Sequence, residues 1–234
     1  MLNFVLAEAA LETIPKKIRF HPSVVAWAKG VGKKTHRALL DRSYHHRAML
    51  SLDDDLKRGR PDIVHFSLLE ALGTPLNREG LLRTYIHTIE NFLIFMDPTV
   101  RLPRNYNRFV GLFEQLFRKT RVPEQGQVLL RVKKGNLNDL LDVIKPSYTL
   151  VFTRSGSPKT LHNVLKKLVK MVNPVVIVGG FPGSCFSEKT LSIANELVSI
   201  DSEVLDTWTI TARIVYEYER LIELPKKRLK KRKV

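Results

Sequence analysis

Three short segments hold side chains whose types and spacing could do chemistry together. The first is Arg58-Gly59-Arg60-Pro61-Asp62. Proline suits the first position of a helix, and a carboxylate is electrostatically favoured in the first turn, so Pro61 and Asp62 read as a helix start. Arg60 breaks that pattern, because a cation beside a helix N-terminus is locally unfavourable. Pairing with Asp62 would offset this. A fixed Arg–Asp pair also presents guanidinium N–H donors to a phosphate or a base edge. The second segment is Arg101-Leu102-Pro103-Arg104-Asn105-Tyr106-Asn107-Arg108-Phe109. Arg104 and Arg108 are four apart and read as one helix face, with Arg101 just before. No acid in 101–108 neutralises them, and Tyr106 and Phe109 are interleaved, a mixture suited to phosphate contact and base stacking. The third segment is VVIVGGFPGSCF, residues 175–186, where a buried strand runs into Gly179, Gly180 and Gly183. Ligands bind beyond the C-terminal ends of parallel strands, and glycines there let a ligand approach the backbone. The same glycines could merely supply positive φ in a tight connection, and the loop alone leaves both readings open.

Other chemistries lack their residues. No G-x-G-x-x-G opens a helix with an acid about 20 positions on, so a nicotinamide Rossmann site is not expected. No G-x-x-x-x-G-K-[ST] supports a P-loop, and no G-x-S-x-G anchors a serine hydrolase. His36, His45 and His46 form no H-x-x-x-H pair with a catalytic Glu, and the single cysteine, Cys185, gives them no thiolate, so no metal is expected. Cys185 reads as a small apolar side chain packed beside the glycine loop. Asp53-Asp54-Asp55 with Lys57, Arg58 and Arg60 reads as an exposed, solvated loop.

Charge narrows the partner. The 234 residues carry 39 Lys plus Arg against 23 Asp plus Glu, a net charge of +16. The tail 225–234 holds seven of those cations, less than half of the excess, so the body is basic too. A basic body with a basic tail favours a polyanion, foremost nucleic acid. The tail lacks interleaved aromatics, which disfavours a membrane surface, and no apolar run nears the ~18–20 residues of a membrane span. The N-terminus does not read as a signal peptide, and a cytoplasmic protein is expected. At 44% hydrophobic residues the chain can bury a core without disulfide staples.

The elements that must position these segments follow from periodicity. Met1–Ala7 reads as a strand and 8–60 as an irregular insertion with short helical pieces at 23–29 and 34–40. Pro61 opens a helix with an apolar stripe at Ile63, Phe66, Leu69 and Leu72, stopped by Gly73. Runs 81–88 and 91–97 read as a hairpin turning at Ile89-Glu90. A helix over 106–119 follows. Strands at 127–132, 148–153, 175–178 and 197–200 alternate with helices at 136–144 and 159–172, the pattern of an α/β protein with a parallel sheet. A helix over 205–224 is apolar on more than one face, which calls for a second partner surface and predicts a homodimer. Residues 1–224 form one domain, and 225–234 a flexible basic tail.

Taken in order, LLDRSYHHRAM (39–49), GRPDIVHFSLLEALGTPLNREGLLRTYIHT (59–88), RLPRNYNRFVGLFEQL (101–116), VVIVGGFPGSCF (175–186) and VLDTWTITARIVYEYE (204–219) resemble the ribosome-biogenesis pseudouridine N1-methyltransferase family, of the SPOUT class of S-adenosylmethionine enzymes. R-P-D-I-x-H and R-x-P-R-x-x-x-R are its most specific pieces, and the compact chain is similar to the archaeal branch. The resemblance implies a parallel sheet flanked by helices with a C-terminal trefoil knot, a homodimer packed through knot-region helices, and methylation of N1 of a pseudouridine in small-subunit ribosomal RNA. It puts cofactor contacts on Gly179, Gly180, Gly183 or Ser184, and on Ile200, Asp201, Ser202, Glu203, Val204 and Leu205. It puts RNA contacts on Arg60, Arg101, Arg104 and Arg108, with Arg60 and Asp62 as the catalytic pair. Methyl transfer from a sulfonium requires no metal, and alignment and electrostatics fall to the protein. Arg60 would stabilise charge spreading onto the ring carbonyls as the base loses its N1 proton, with Asp62 orienting it; a carboxylate committed to a guanidinium is a weak general base. Two rivals remain: a non-catalytic RNA-binding assembly factor, and a DNA-binding protein, for which no helix-turn-helix or zinc pattern is found.

Overall fold

The computed structural model describes residues 1–231; Arg232 to Val234 of the basic tail lie outside the described residues. Eight strands are present: β1 (Leu2–Ala9), β2 (Leu82–Thr88), β3 (Phe92–Met96), β4 (Arg121–Val122), β5 (Leu130–Lys134), β6 (Thr149–Pro158), β7 (Val175–Gly179) and β8 (Glu196–Ser199). The helices are α1 (Pro22–Gly30), α2 (Arg42–Met49), α3 (Pro61–Leu72), α4 (Pro75–Arg78), α5 (Tyr106–Lys119), α6 (Leu137–Ile144), α7 (Leu161–Leu168), α8 (Glu188–Ser192), α9 (Thr207–Leu221) and α10 (Leu224–Lys231).

The strands form one sheet in the order β4-β5-β3-β2-β1-β7-β6-β8. Strands β2, β1, β7, β6 and β8 are parallel, while β3, β5 and β4 extend the sheet antiparallel. The sheet is therefore mixed rather than purely parallel, because the predicted hairpin is real: a tight turn closed by Asn91 N–H on the Thr88 carbonyl can only return antiparallel. Alternation along the central strands shows both faces covered. Phe4, Leu6, Val176, Val178, Leu150 and Phe152 enter the larger core with α3, α5, α7 and α9. Val5, Ala7, Val175, Ile177 and Val151 enter the opposite core with α6. Buried on both faces, these strands read as continuous apolar runs.

Four expectations need correction. The segment 8–60 is not irregular: Ile14, Ile18, Val24, Ala38, Leu40, Ala48, Met49 and Leu52 form a third core that holds α1 and α2. In α3 the stripe is rotated, with Val64, Leu68 and Ala71 buried and Phe66 exposed. The tail is helical as far as Lys231, turned off α9 at Glu223, whose φ is +56°. Finally, most of the apolar surface of α9 is covered by its own chain: Ile214, Val215 and Tyr218 are buried in the larger core, and α9 packs against α3, α7, α4 and α10. The core-facing part of the apolar surface of α9 is thus satisfied within one subunit, while Tyr216 stays exposed.

At Gly156, in the bulged part of β6, a Cβ would lie 2.4 Å from the backbone nitrogen of Val198. Backbone cannot yield there as a flexible side chain would. Gly156→Ala should lower stability by about 1–3 kcal/mol, read as a reduced urea midpoint with unchanged slope.

Candidate functional site

Arg60 and Asp62 form the expected pair. Arg60 Nε donates to Asp62 Oδ1 at 2.8 Å and Nη2 to Oδ2 at 2.7 Å, a bidentate bridge. The helix geometry explains it: Arg60 is the N-cap residue of α3, Pro61 follows, and Asp62 lies in the first turn. The two side chains stay partly open to solvent, at 35% and 29% exposure, so the guanidinium keeps donors for a ligand. Asp62 does not accept a capping bond from the helix; its carboxylate is committed to Arg60. Asp41 and Tyr106 stand close to Arg60, and Tyr106 donates its hydroxyl to Asp41 Oδ2 at 2.6 Å. Burial first, then Asp41, raises the Tyr106 pKa and keeps the phenol protonated.

The residues just before Arg60 are not the solvated loop their composition predicts. Asp53 is exposed, but Lys57 and Arg58 are buried at 7% and 9% exposure. Lys57 Nζ binds Glu8 Oε2 at 2.7 Å. Arg58 grips Glu12 through two bonds, of 2.9 Å and 2.6 Å, and also reaches Glu90. Glu8 is the hub. Its Oε1 accepts from the Ser187 backbone N–H, the Ser187 hydroxyl and the Thr190 hydroxyl, at 2.9, 2.6 and 2.7 Å. Burial alone would raise the Glu8 pKa, but the bonds from Lys57, Ser187 and Thr190 outweigh it and hold the pKa below the ordinary value. Nearby, burial depresses His87, whose Nδ1 accepts from the Glu8 N–H and whose Nε2 faces Asn91 Oδ1 at 2.9 Å. The 57–58 pairs therefore pin the approach to Arg60, with Gly59 between at φ +69° and the Met49 side chain filling the space a Cβ would need.

The second arginine group is placed differently from the helix-face expectation. Arg101, Arg104 and Arg108 are all exposed, and none makes an ion pair among the described residues. Arg104 precedes the Asn105 N-cap, so only Arg108 belongs to α5. The interleaved aromatics are not free to stack on bases. Phe109 is fully buried, 4.3 Å from the His65 ring and 4.4 Å from Phe113, and Tyr106 is tied to Asp41. Their role is to join the two arginine segments: His65, one turn after Asp62, bonds the Pro103 carbonyl through Nε2 at 2.7 Å and stacks on Phe109.

The glycine loop lines a cavity of about 330 Å³ at the C-terminal ends of β7 and β8, beside the middle of β6 where its bulge begins. Gly179, Gly183, Ser184, Ile200, Asp201, Glu203, Val204 and Leu205 all face it. Two expected residues do not. Gly180 is buried against β1, where a Cβ would lie 2.8 Å from Ala9 Cβ, and its N–H and carbonyl bond Ala7 and Ala10. Its lack of a side chain serves strand packing, not a ligand. Ser202 lines an adjoining depression with Lys159 and Thr160, which shares Arg154, Ser199, Ile200 and Asp201 with the cavity. No glycine of the loop has positive φ; Ser184 does, at +80°. Cys185 is exposed at the cavity, not packed as a small apolar group. The sequence reading missed Phe152, Thr153 and Arg154, at the end of the strand expected over 148–153 and mid-way along the observed β6, the Phe181 and Phe186 walls, and Thr207, whose hydroxyl bonds the Gly179 carbonyl at 2.8 Å. Applying the strand-end rule to every parallel strand, rather than to the glycine-marked one, would have found residues 152–154. Arg60 and Asp62 do not line this cavity. The two sites communicate through contacts: Lys57 Nζ sits 5.0 Å from the centre of the Phe181 ring, and Phe66 of α3 packs edge-on to Trp208 at 5.5 Å, next to Thr207. Among the described residues no group of three or more His, Cys, Asp or Glu is arranged to hold a metal, and no helix is long and apolar enough to cross a membrane.

Comparison with known proteins adds the following. A family model described as EMG1/NEP1 methyltransferase matches residues 4–219. Proteins called ribosomal RNA small subunit methyltransferase Nep1 are similar over nearly the whole chain. The one from Pyrococcus furiosus is 43% identical, covering 93% of this chain and 96% of the relative. The one from Thermococcus kodakarensis is 42% identical, covering 96% and 100%. A crystal structure of Archaeoglobus fulgidus Nep1 bound to S-adenosylhomocysteine superposes with a TM-score of 0.83 at 39% identity, covering 94% of this chain and 98% of that one.

The Glu8 hub gives a pH test. Its folded pKa is depressed, so its contribution is present above the ordinary value of 4.5 and is lost as pH falls through and below it. Glu8→Gln strands the buried Lys57 charge and should cost about 3–5 kcal/mol at pH 7. That gap should narrow as pH falls below 4.5 and the wild-type carboxyl takes up its own proton. Urea denaturation of both proteins across pH 3–7 measures it, and a gap independent of pH would assign the loss to packing instead.

Proposed function

The chain belongs to the EMG1/NEP1 methyltransferase family, and from that premise we propose its reaction: S-adenosylmethionine-dependent methylation of small-subunit ribosomal RNA, with N1 of a pseudouridine as acceptor. The observation that carries this reading is the cavity where the adjoining parallel strands β6, β7 and β8 open, at which eight of the ten residues expected to contact a cofactor converge. The residues present suit that cofactor. Phe152, Val178, Val198, Ile200, Leu205 and Ile210 offer apolar walls for a purine, and Asp201 and Glu203 at the cavity offer carboxylates to its hydroxyl and cationic groups. Gly183 leaves open space where a side chain would intrude. When bound, S-adenosylmethionine supplies an electrophilic methyl group on its sulfonium.

The chain's own residues then have separable tasks. Arg101, Arg104 and Arg108, exposed and unpaired, hold RNA phosphates. Arg60, held by both oxygens of Asp62, directs its remaining N–H donors at the pyrimidine carbonyls and stabilises negative charge that develops as N1 loses its proton. Asp62 orients that guanidinium. Buried ion pairs at Lys57 and Arg58 keep the pair from relaxing when RNA binds.

Two further features belong to the same reading. The segment 200–206 is threaded through a trefoil knot, a reading supported by the Thr207–Gly179 bond that lays this segment against the glycine loop. The chain acts as a homodimer in the cytoplasm, its partner covering the apolar side chains left exposed around α9: Phe66, Val204 and Tyr216.

The test is transfer of labelled methyl to a small-subunit rRNA hairpin containing pseudouridine, with a uridine control. Label on the pseudouridine hairpin alone is expected; RNA binding without transfer would favour the assembly-factor reading. Arg60→Ala should reduce the single-turnover rate at saturating RNA by about 10²-fold or more, while Arg101→Ala and Arg104→Ala should weaken RNA binding and leave that saturated rate intact. If Arg60→Ala weakens binding only, Arg60 is an anchor and not a catalytic residue.

A further inference from the structure

Beyond the residues that match the family, which end at 219, the chain forms one more helix, α10. It is docked, not loose. Leu224 is buried in the larger core, and Arg228 forms an ion pair with Glu79. The turn at Glu223 sets its direction, and Lys226 holds Glu223 at 2.7 Å. The docking point matters. Glu79 is flanked by Arg78 and Gly80, and both of these line a groove of about 1130 Å³ that Arg101 and Arg104 line as well. The apolar part of its lining comes from Leu68, Leu69 and Leu72 of α3 and from Val100 and Leu102, with Leu68 and Val100 buried. Arg78 is exposed and, like Arg101 and Arg104, makes no ion pair among the described residues. Cations and apolar side chains lining one groove suit a strand whose bases can turn inward while its phosphates stay outside.

From this we propose that α10 is an accessory RNA-binding element. The RNA path continues from Arg101 and Arg104, across the groove and Arg78, onto Lys226, Lys227 and Lys230, and it takes a single-stranded segment flanking the methylated loop. The two acids at this surface, Glu79 and Glu223, are each bridged by a basic residue of α10, so they do not repel the backbone. A lipid surface fits less well: between 224 and 230 the helix exposes one large apolar side chain, Leu229, too little to enter a bilayer interface. The proposal rests on the rRNA methyltransferase reading, which it extends to a second contact outside the reaction site.

The experiment compares the full chain with a Lys226→Gln, Lys227→Gln, Lys230→Gln variant on two RNAs: the minimal pseudouridine hairpin, and the same hairpin with single-stranded rRNA extensions at both ends. These lysines are exposed, but Lys226 bonds Glu223 and Lys227 the Ile222 carbonyl, so circular dichroism and urea denaturation of the variant first establish that helix and fold are kept. Wild type should bind the extended RNA more tightly than the minimal one. The variant should lose that advantage, roughly tenfold near physiological salt, with a salt slope shallower by up to about 2 for three phosphates at ~0.7 each. Minimal-hairpin affinity and the saturated methylation rate should not change. Arg228→Ala, which removes the α10 contact to Glu79 without touching the lysines, should give part of the same loss. Equal loss on both RNAs, or none on either, overturns the proposal. So does a variant whose only defect is weaker binding to anionic phosphatidylserine vesicles. Failure of the wild type to methylate or bind either RNA would break the functional reading itself, an outcome distinct from a lost extension effect.

Discussion

Two buried ion pairs at the end of the first strand set the geometry of everything around them. Glu8–Lys57 and Glu12–Arg58 lie almost out of solvent, where an incompletely bonded charge costs several kcal/mol. Glu8 is therefore surrounded by donors from separate parts of the chain, Lys57, Ser187 and Thr190, and both oxygens of Glu12 are taken by Arg58. Full satisfaction is possible in one arrangement of these segments only. Such pairs add little net stability compared with apolar packing, but they fix register. Here the register fixed is that of Arg60, two residues past Arg58, and of the stretch that follows the glycine loop.

The same pairs explain how the arginine segments and the cavity come to sit in one rigid frame. Lys57 touches both Glu8 and the face of Phe181, a wall of the cavity. His65 bonds the Pro103 carbonyl and stacks on Phe109, joining the start of α3 to the loop that carries Arg101 and Arg104. Thr207 closes the cavity by bonding Gly179. Of these joining residues only Thr207 lines the cavity; Lys57 and His65 do not. They make the exposed arginines part of a preorganised surface, so less conformational entropy is lost when an anion binds.

Small residues in the loop work by leaving room, not by adopting unusual backbone angles. Gly180 lets β7 run into the loop hard against Ala9, and Gly183 leaves the cavity open. The one positive φ in the loop belongs to Ser184. A motif of glycines thus combines packing and binding roles that are indistinguishable before the backbone is traced.

Periodicity and punctuation were sufficient for most elements: α3 begins at Pro61, α5 spans Tyr106–Lys119, and the hairpin turns at Ile89-Glu90. The Arg60–Asp62 pair was also determined locally, since two residues of opposite charge at a helix start can meet without help from the rest of the fold. Net charge pointed to a polyanion for the same reason, being a sum over residues. Tertiary structure alone decided which charges are available. Lys57 and Arg58 look like Arg60 in composition but are buried by carboxylates about 45 to 50 positions away. Phe109 looks like a stacking platform but is core. α9 looks like a dimer helix, yet its own chain covers most of it. Gly180 belongs to β1 and not to the cavity. In each case the deciding contact is long-range, and linear sequence carries no record of which distant face a side chain will meet.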